Sequence, residues 1–336
     1  MRTIASAACG AALFTVVALA AACPVPPDVG GVEGEGEGEG EGEGEGEDLG
    51  CSPQANTGFP APSLTATDAV GSPTTFDIAA WNIRNFPARS NTASVVADAL
   101  ASLDLDLVAI AEIADEDRFA ELTARLPDHE GVLSSHTYST GDYQKLGFIY
   151  RCGLLTPVGA PQLPFASDGF NFPRPPLQQR FRYRNGDVTF EFTALAVHFK
   201  ASEGNNDAES SARRRTAFER LAAYTESLTA GDLPDEVLVL GDFNERLDET
   251  AGEANWAPFL DETKYVVRTK PLSDRGEASF LSSSGAMIDH IVTSRAFDDE
   301  VGAGVADVVK LEQNILNYRD VVSDHRPVTL IMRGAL

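Results

Sequence analysis

The stretch Val237-Leu-Val-Leu-Gly-Asp-Phe-Asn244 constrains the fold more than any other part of the chain. Four consecutive large aliphatics after Pro234 and Asp235 read as a strand buried on both faces, of the kind found at the centre of an α/β sheet. Such strands present their polar side chains at the carboxyl end. In extended backbone Asp242 and Asn244 fall on the same side, because side chains repeat every two residues. One carboxylate and one amide then face a common space, which suits an anionic substrate beside a group that can hold a metal or orient a water. The alternative is a strand followed by an Asx-type turn with no chemistry attached.

The same design recurs along the chain. Phe76, Ile78 and Ala80 share a parity in a strand over 74–81 that ends in Asn82-Ile-Arg-Asn-Phe86. Ser90 or Asn91 caps a helix running to Leu103, and a short apolar run over 105–110 leads to Glu112. A helix is expected over 116–126 and a strand over 146–150, whereas the prolines between Pro157 and Pro176 predict a loop. A strand over 188–197 delivers His198-Phe199-Lys200, and a polar loop over 203–211 precedes a helix over 212–228. Two further strands hold Asp289, over 287–292, and follow Ser323-Asp324-His325, over 328–332. Alternating strands and helices with hairpin-like segments indicate an α/β domain whose sheets are not purely parallel. His129 and His136 read as surface residues, and Trp256 and Phe259 as core.

The first fifty residues follow other rules. Residues 1–22 combine Arg2, an apolar run and small residues before Cys23, which reads as a signal peptide with a lipoprotein-like cleavage site. Cys23 is then the candidate for lipidation, and ordinary secretion is the alternative. Residues 23–50 contain a strict Glu-Gly alternation with nothing to bury, an extended and solvated tether. The expected location is a bacterial cell surface or outer membrane. The chain carries a formal net charge of −25, and residues 51–336, the expected catalytic domain, still hold 25 basic against 41 acidic residues. Bulk charge alone therefore disfavours non-specific binding along nucleic acid, so a polyanionic substrate needs a local basic patch and a divalent cation. The basic candidates are Arg174, Arg180, Arg182, Arg184 and Arg213 to Arg215. In an exported chain Cys51 and Cys152 form a candidate disulfide, with two separate thiols as the alternative.

Asn82, Glu112, His198, Asp242, Asn244, Asp289, Asp324 and His325 all fall at or beside predicted strand ends. On one rim they make an acidic pocket with two imidazoles, the composition that metal-assisted hydrolysis of phosphate esters requires. Carboxylate oxygens favour magnesium or manganese, with calcium a further candidate. The order Trp81-Asn-Ile-Arg-Asn-Phe, Glu112, Phe148-Ile-Tyr-Arg, Arg174-Pro-Pro, His198-Phe-Lys, Gly241-Asp-Phe-Asn, Ile288-Asp-His-Ile-Val and Ser323-Asp-His-Arg-Pro-Val resembles the endonuclease/exonuclease/phosphatase family, most of all its deoxyribonuclease I-like branch.

That resemblance implies a four-layered α/β sandwich with two central mixed sheets flanked by helices. It implies that Glu112 and Asp324, with Asn82, hold the metal, and that Asn82 and Asn244 lie near the scissile phosphate. Asp242 would orient the water, Asp289 would hydrogen-bond His325, and His198 would be the second imidazole. Arg174 and Lys200 would bind substrate. The expected activity is that of a monomeric, secreted or surface-tethered phosphodiesterase, an endonuclease acting on DNA, which meets a membrane only through its anchor. A lipid-headgroup or small-phosphate hydrolase and a silent binding module are the rivals. One departure from the family stands out: Gln144 occupies the place of a carboxylate that orients the imidazole corresponding to His198, unless Asp142 reaches in instead.

Overall fold

The computed structural model describes residues 58–60, 66–204, 207–230, 234–248 and 250–333, all within one compact unit. The expected signal peptide at 1–22, Cys23, the tether over 23–50 and Cys51 lie outside them. Cys152 is disulfide-bonded.

In chain order the elements are β1 (Phe76–Phe86), α1 (Thr92–Leu103), β2 (Leu107–Ile113), α2 (Glu116–Ala124), β3 (His129–Leu133), β4 (Lys145–Arg151), β5 (Leu155–Gln162), β6 (Leu177–Asn185) and β7 (Val188–His198). There follow α3 (Ala208–Thr229), β8 (Val237–Asp242), α4 (Thr250–Trp256), β9 (Tyr265–Val267), α5 (Lys270–Asp274), β10 (Asp289–Ser294), α6 (Phe297–Val301), β11 (Gly304–Val308), α7 (Tyr318–Val321) and β12 (Val328–Met332). They build two six-stranded sheets, ordered β11-β12-β1-β2-β4-β3 and β5-β6-β7-β8-β10-β9. Each sheet has one parallel pair, β1 with β2 and β7 with β8, and each pair is joined through a helix; the other pairings are antiparallel. The expected sandwich of mixed sheets flanked by helices is what forms.

Residue parity explains the layers. Phe76, Ile78 and Ala80 of β1 and Leu238 and Leu240 of β8 meet between the sheets, with Phe181 and Phe192. Val237 and Val239, of opposite parity, face outward against Phe218 and Leu221 of α3, together with Trp256 and Phe259. On the far side Val96 and Leu100 of α1 and Phe119 of α2 cover the first sheet. β8 is thus buried on both faces, as its composition requires. Each such aliphatic stabilises the fold by roughly 1.5–3 kcal/mol.

Three expectations change. The loop expected over 157–176 begins as strand, because β5 lies at a sheet edge where Pro157 and Pro161 leave no ladder donor missing. Helix α3 starts earlier than expected, at Ala208, because the Asp207 side chain accepts from Ser210 N at 3.0 Å and caps it. His129 is buried rather than on the surface, its Nε2 3.0 Å from the Leu105 carbonyl, and His136 is half-buried with Nε2 3.1 Å from the Pro173 carbonyl.

Candidate active site

The carboxyl ends of β1, β2, β7 and β8 meet at one rim. β8 is flanked by β7 and β10 in a register that sets His198 and Asp289 opposite Asp242. Gly241 makes this possible: its φ is +140°, and a Cβ there would lie 2.1 Å from the Val197 carbonyl oxygen. Only glycine lets β7 pass so close. After Asp242 the chain turns sharply. Its Oδ1 accepts from Asn244 N at 2.8 Å, and Asn244 sits at φ +50°. The extended-parity argument for Asn244 therefore fails, and a side-chain-stabilised turn in the left-handed region places it instead. Its Nδ2 donates to the Phe199 carbonyl at 3.2 Å.

β1 ends in a matching turn. Asn82 Oδ1 accepts from Arg84 N at 2.9 Å, and Arg84 and Asn85 adopt φ of +40° and +44°. Asn85 N then donates to Glu112 Oε2 at 2.9 Å, and Glu112 is itself at φ +66°. Backbone strain of this kind persists only where the surroundings fix it, and it clusters at functional sites. The Asn82 carboxamide donates to Glu112 Oε1 and to Asp242 Oδ2, both at 3.0 Å. One amide thus ties the rims of the two sheets together.

His325 Nδ1 lies 2.8 Å from Asp289 Oδ2, and its Nε2 is 4.0 Å from Asp242 Oδ2. His198 Nε2 stands 3.6 Å from Asp242 Oδ2 and 3.8 Å from Glu112 Oε1, while its buried Nδ1 has no hydrogen-bond partner. Asp324 reaches the rim beside Arg84, Nε to Oδ2 at 3.5 Å. Asn82, Glu112, His198, Asp242, Asn244, Asp289, Asp324 and His325 are therefore brought together around the meeting of the two sheets.

The charge states differ sharply. Burial raises Asp242, the Asp289 charge adds to it, and the carboxyl reaches about 7 against the opposing effects of His325 and the Asn82 donor. Burial lowers His325, but the charges of Asp289, Asp242 and Asp324 and the Asp289 hydrogen bond outweigh it and carry the ring up to about 10. His198 is held well below the ordinary 6.5 by burial and by the cations Arg174 and His325. One imidazole is charged and one is neutral.

Glu112 and Asp324 offer carboxylate oxygens that are 15% and 20% exposed, beside the buried Asp242 and the Asn82 carboxamide. That hard, water-accessible donor set fits magnesium or manganese. Asp242, Asp289 and His325 also present ligand atoms within 4.8 Å of one another. His325 is the weaker donor of the two sets, since its Nδ1 is engaged by Asp289 and a protonated ring offers no lone pair to a metal.

The basic residues behave otherwise than expected. Arg174 Nε donates to the His198 carbonyl at 3.3 Å and Nη2 donates to that of Phe199, so its guanidinium braces the end of β7. Lys200 Nζ donates to Ala201 O at 3.0 Å and pairs with Glu203. Arg180 and Arg182 share Glu191, Arg214 is buried against Glu245 at 2.8 Å, and Arg215 donates to Asn255 at 3.0 Å. Gln144 does not orient His198 either. Its Nε2 donates to Asn85 Oδ1 and its Oε1 accepts from Tyr138 at 3.1 Å, and Asp142 does not replace it at the partnerless Nδ1.

Sequence reasoning missed the supports. Ser323 Oγ donates to Asn82 O at 2.6 Å and accepts from His325 N at 3.0 Å. Ser279 Oγ accepts from Asp289 N at 3.0 Å, and Tyr318, which accepts from Trp81 Nε1 at 3.1 Å, donates to the His325 carbonyl. Ser323 was signalled by its place beside Asp324 and His325; Ser279 and Tyr318 carry no local signal.

The Endonuclease/Exonuclease/phosphatase family profile matches residues 79–325. No curated protein sequence matches the chain. Among solved structures it resembles TDP2 from C. elegans, with a TM-score of 0.57 and 14% identity over 77% of this chain and 75% of that one. The human Nocturnin catalytic domain with bound sulfate anion gives 0.54 and 16%, over 78% and 94%. A Bacteroides thetaiotaomicron mannosyl-6-phosphatase gives 0.53 and 16%, over 76% and 99%. At these identities the likeness establishes the fold.

Proposed function

The chain belongs to the Endonuclease/Exonuclease/phosphatase family, and from that membership we propose that it is a divalent-metal-dependent phosphodiesterase that hydrolyses DNA by attack of water on phosphate. The observation that carries this reading is the array in which Asn82 joins Glu112 to Asp242 while Asp289 aims His325 at the same carboxylate.

Glu112 and Asp324, with Asn82 beside them, would hold magnesium or manganese; calcium takes the same oxygens with looser geometry. When bound, such an ion neutralises charge on the phosphate oxygens. Asp242 orients the attacking water and accepts its proton, since a buried carboxylate raised to about 7 is poised for that exchange near neutrality. His325 directs Nε2 at the phosphate, because Asp289 occupies Nδ1. As a cation it stabilises developing negative charge. His198, neutral and close to Asp242 and Glu112, can hydrogen-bond the leaving oxygen through Nε2, with water supplying the proton that oxygen finally takes. Arg174 keeps His198 in place through its carbonyl.

A second reading, hydrolysis of a small phosphate, is favoured by the arginines: of those expected to grip a polyanion, Arg180, Arg182, Arg214 and Arg215 are committed to Glu191, Glu245 and Asn255. The signal-like 1–22, the lipidation candidate Cys23 and the Glu-Gly run are the features that support a location outside the cell on an anchor. Purified protein is incubated with plasmid DNA, RNA, sphingomyelin and a sugar monophosphate, in chelator and after magnesium or manganese is restored. DNA nicking that disappears with chelator and returns with metal is expected. Full activity of verified metal-free protein overturns the metal, and turnover of the monophosphate alone replaces DNA with the second reading.

A further inference from the structure

Phe170 is 59% exposed on the loop between β5 and β6, yet it is not loosely placed. The Arg213 guanidinium lies under its ring, 4.5 Å from the centroid, and Arg213 Nε donates to the Phe170 carbonyl at 2.7 Å. The exposures run opposite to those of an arginine laid over a core aromatic. The Arg213 side chain is only 14% exposed, so the cation is packed away beneath while the ring faces solvent. The cation covers one face of the ring and leaves the other open.

Both partners are strapped to the strand end that carries His198. Two residues after Phe170, Phe172 packs edge-on against Phe199 with centroids 6.0 Å apart. Two residues further on, Arg174 donates to the His198 and Phe199 carbonyls. Next to Arg213 in α3, Arg214 Nη1 donates to the Lys200 carbonyl at 2.9 Å. An aromatic face supported by a fixed cation is thus tied, through Phe172, Arg174 and Arg214, to the segment His198–Lys200 that ends β7. Among the described residues Arg180, Arg182, Arg214 and Arg215 are engaged by Glu191, Glu245 and Asn255, so affinity for a nucleic acid has to draw on something besides charge. Stacking supplies it without regard to sequence, because every base has a π face.

Resting on the phosphodiesterase reading, we propose that Phe170, carried on Arg213, is the platform on which a nucleobase of the substrate stacks next to the scissile phosphate. The substrate class is then an unpaired or splayed nucleotide strand rather than an intact duplex gripped along its backbone.

The test compares an oligothymidylate with an abasic oligomer of the same length, which has the same phosphates and no bases. Binding is read by fluorescence anisotropy in chelator, and KM and kcat are read with magnesium. Wild type should bind the thymidylate about tenfold more tightly than the abasic strand, the order of stacking one base. In Phe170→Ala that ratio should fall to about one, with the change in KM rather than kcat, and Phe170→Trp should restore it. A base preference that survives in Phe170→Ala, or a wild type that hydrolyses both strands with equal KM, overturns the platform while leaving the phosphodiesterase intact. Loss of hydrolysis of every substrate by the wild type, with base-dependent binding retained in chelator, would instead sink the phosphodiesterase.

Discussion

The two ends of the central strands hold similar residues and do opposite things. At the rim, Asp242 and Asp289 are buried with His325 between them; about five residues back along β1, roughly 17 Å at strand rise, Asp77 and Asp106 are buried beside a half-buried Arg151. Each end raises a carboxyl, Asp242 and Asp106 both to about 7, chiefly by burial. Each also keeps one buried carboxylate oxygen without a partner, Asp289 Oδ1 and Asp77 Oδ1. What differs is the cation. Arg151 donates to Asp104 and to Asp106 Oδ1, the latter at 3.1 Å, and no pH a protein survives will deprotonate it. His325 can hand over a proton from an Nε2 that faces the site. A buried acid pair is therefore a lock when an arginine closes it and a catalytic device when an imidazole does.

The first way to break that comparison carries the largest effect. His325→Ala and Asp242→Ala should each lower the rate of DNA hydrolysis by about 10²–10⁴-fold, the usual worth of a positioned acid or base. Each variant should still fold but lose stability, because both groups belong to a buried, paired cluster; the loss of turnover, not the melting temperature, marks the rim. Arg151→Ala should do the reverse, costing about 2–4 kcal/mol in denaturant unfolding by leaving Asp106 uncompensated, with kcat retained. A variant at the base that kills turnover, or one at the rim that only melts the fold, would dissolve the distinction.

A smaller effect separates the ends by pH. Asp106 binds its proton more tightly folded than unfolded, since burial and the Asp77 charge raise it from 3.8 to about 7. Its contribution to stability is then complete below about pH 4 and is lost as pH climbs through about 7. Asp106→Asn should flatten the decline between those limits, by at most about 1.4 kcal/mol per pH unit, as read from unfolding midpoints. An unchanged decline in the variant would mean that Arg151 already keeps Asp106 ionised over that range.

Much of this architecture is legible in the residues. The parity of Phe76, Ile78 and Ala80 and the double-faced run 237–240 place the layers, and the eight rim residues are found because each falls at or beside an expected strand end. What stays hidden depends on the other strand. Nothing local says that Asn244 turns into the left-handed region, that Gly241 exists to let Val197 pass, or that Asp77 and Asp106 would meet an arginine from β4. The arginine clusters mislead for the same reason. A row of like charges in sequence reads as a free basic face until the acids opposite it, Glu191 and Glu245, are seen.

That misreading gives the smallest and most discriminating measurement. Were Arg180, Arg182 and Arg213 to Arg215 all phosphate contacts, the logarithm of the single-strand binding constant would fall with log salt at a slope of about −3.5, at about −0.7 per contact. With those side chains engaged internally, a slope of about −1 is expected from anisotropy titrations in chelator. Glu191→Gln then sharpens the point, because it removes the charge that Arg180 and Arg182 share on the outward face of β6 and β7. If that face lies along the path of the bound strand, the slope should steepen by about one contact while kcat holds. If the slope does not move, the arginine face points away from the substrate, and the strand is held at the rim and by stacking alone.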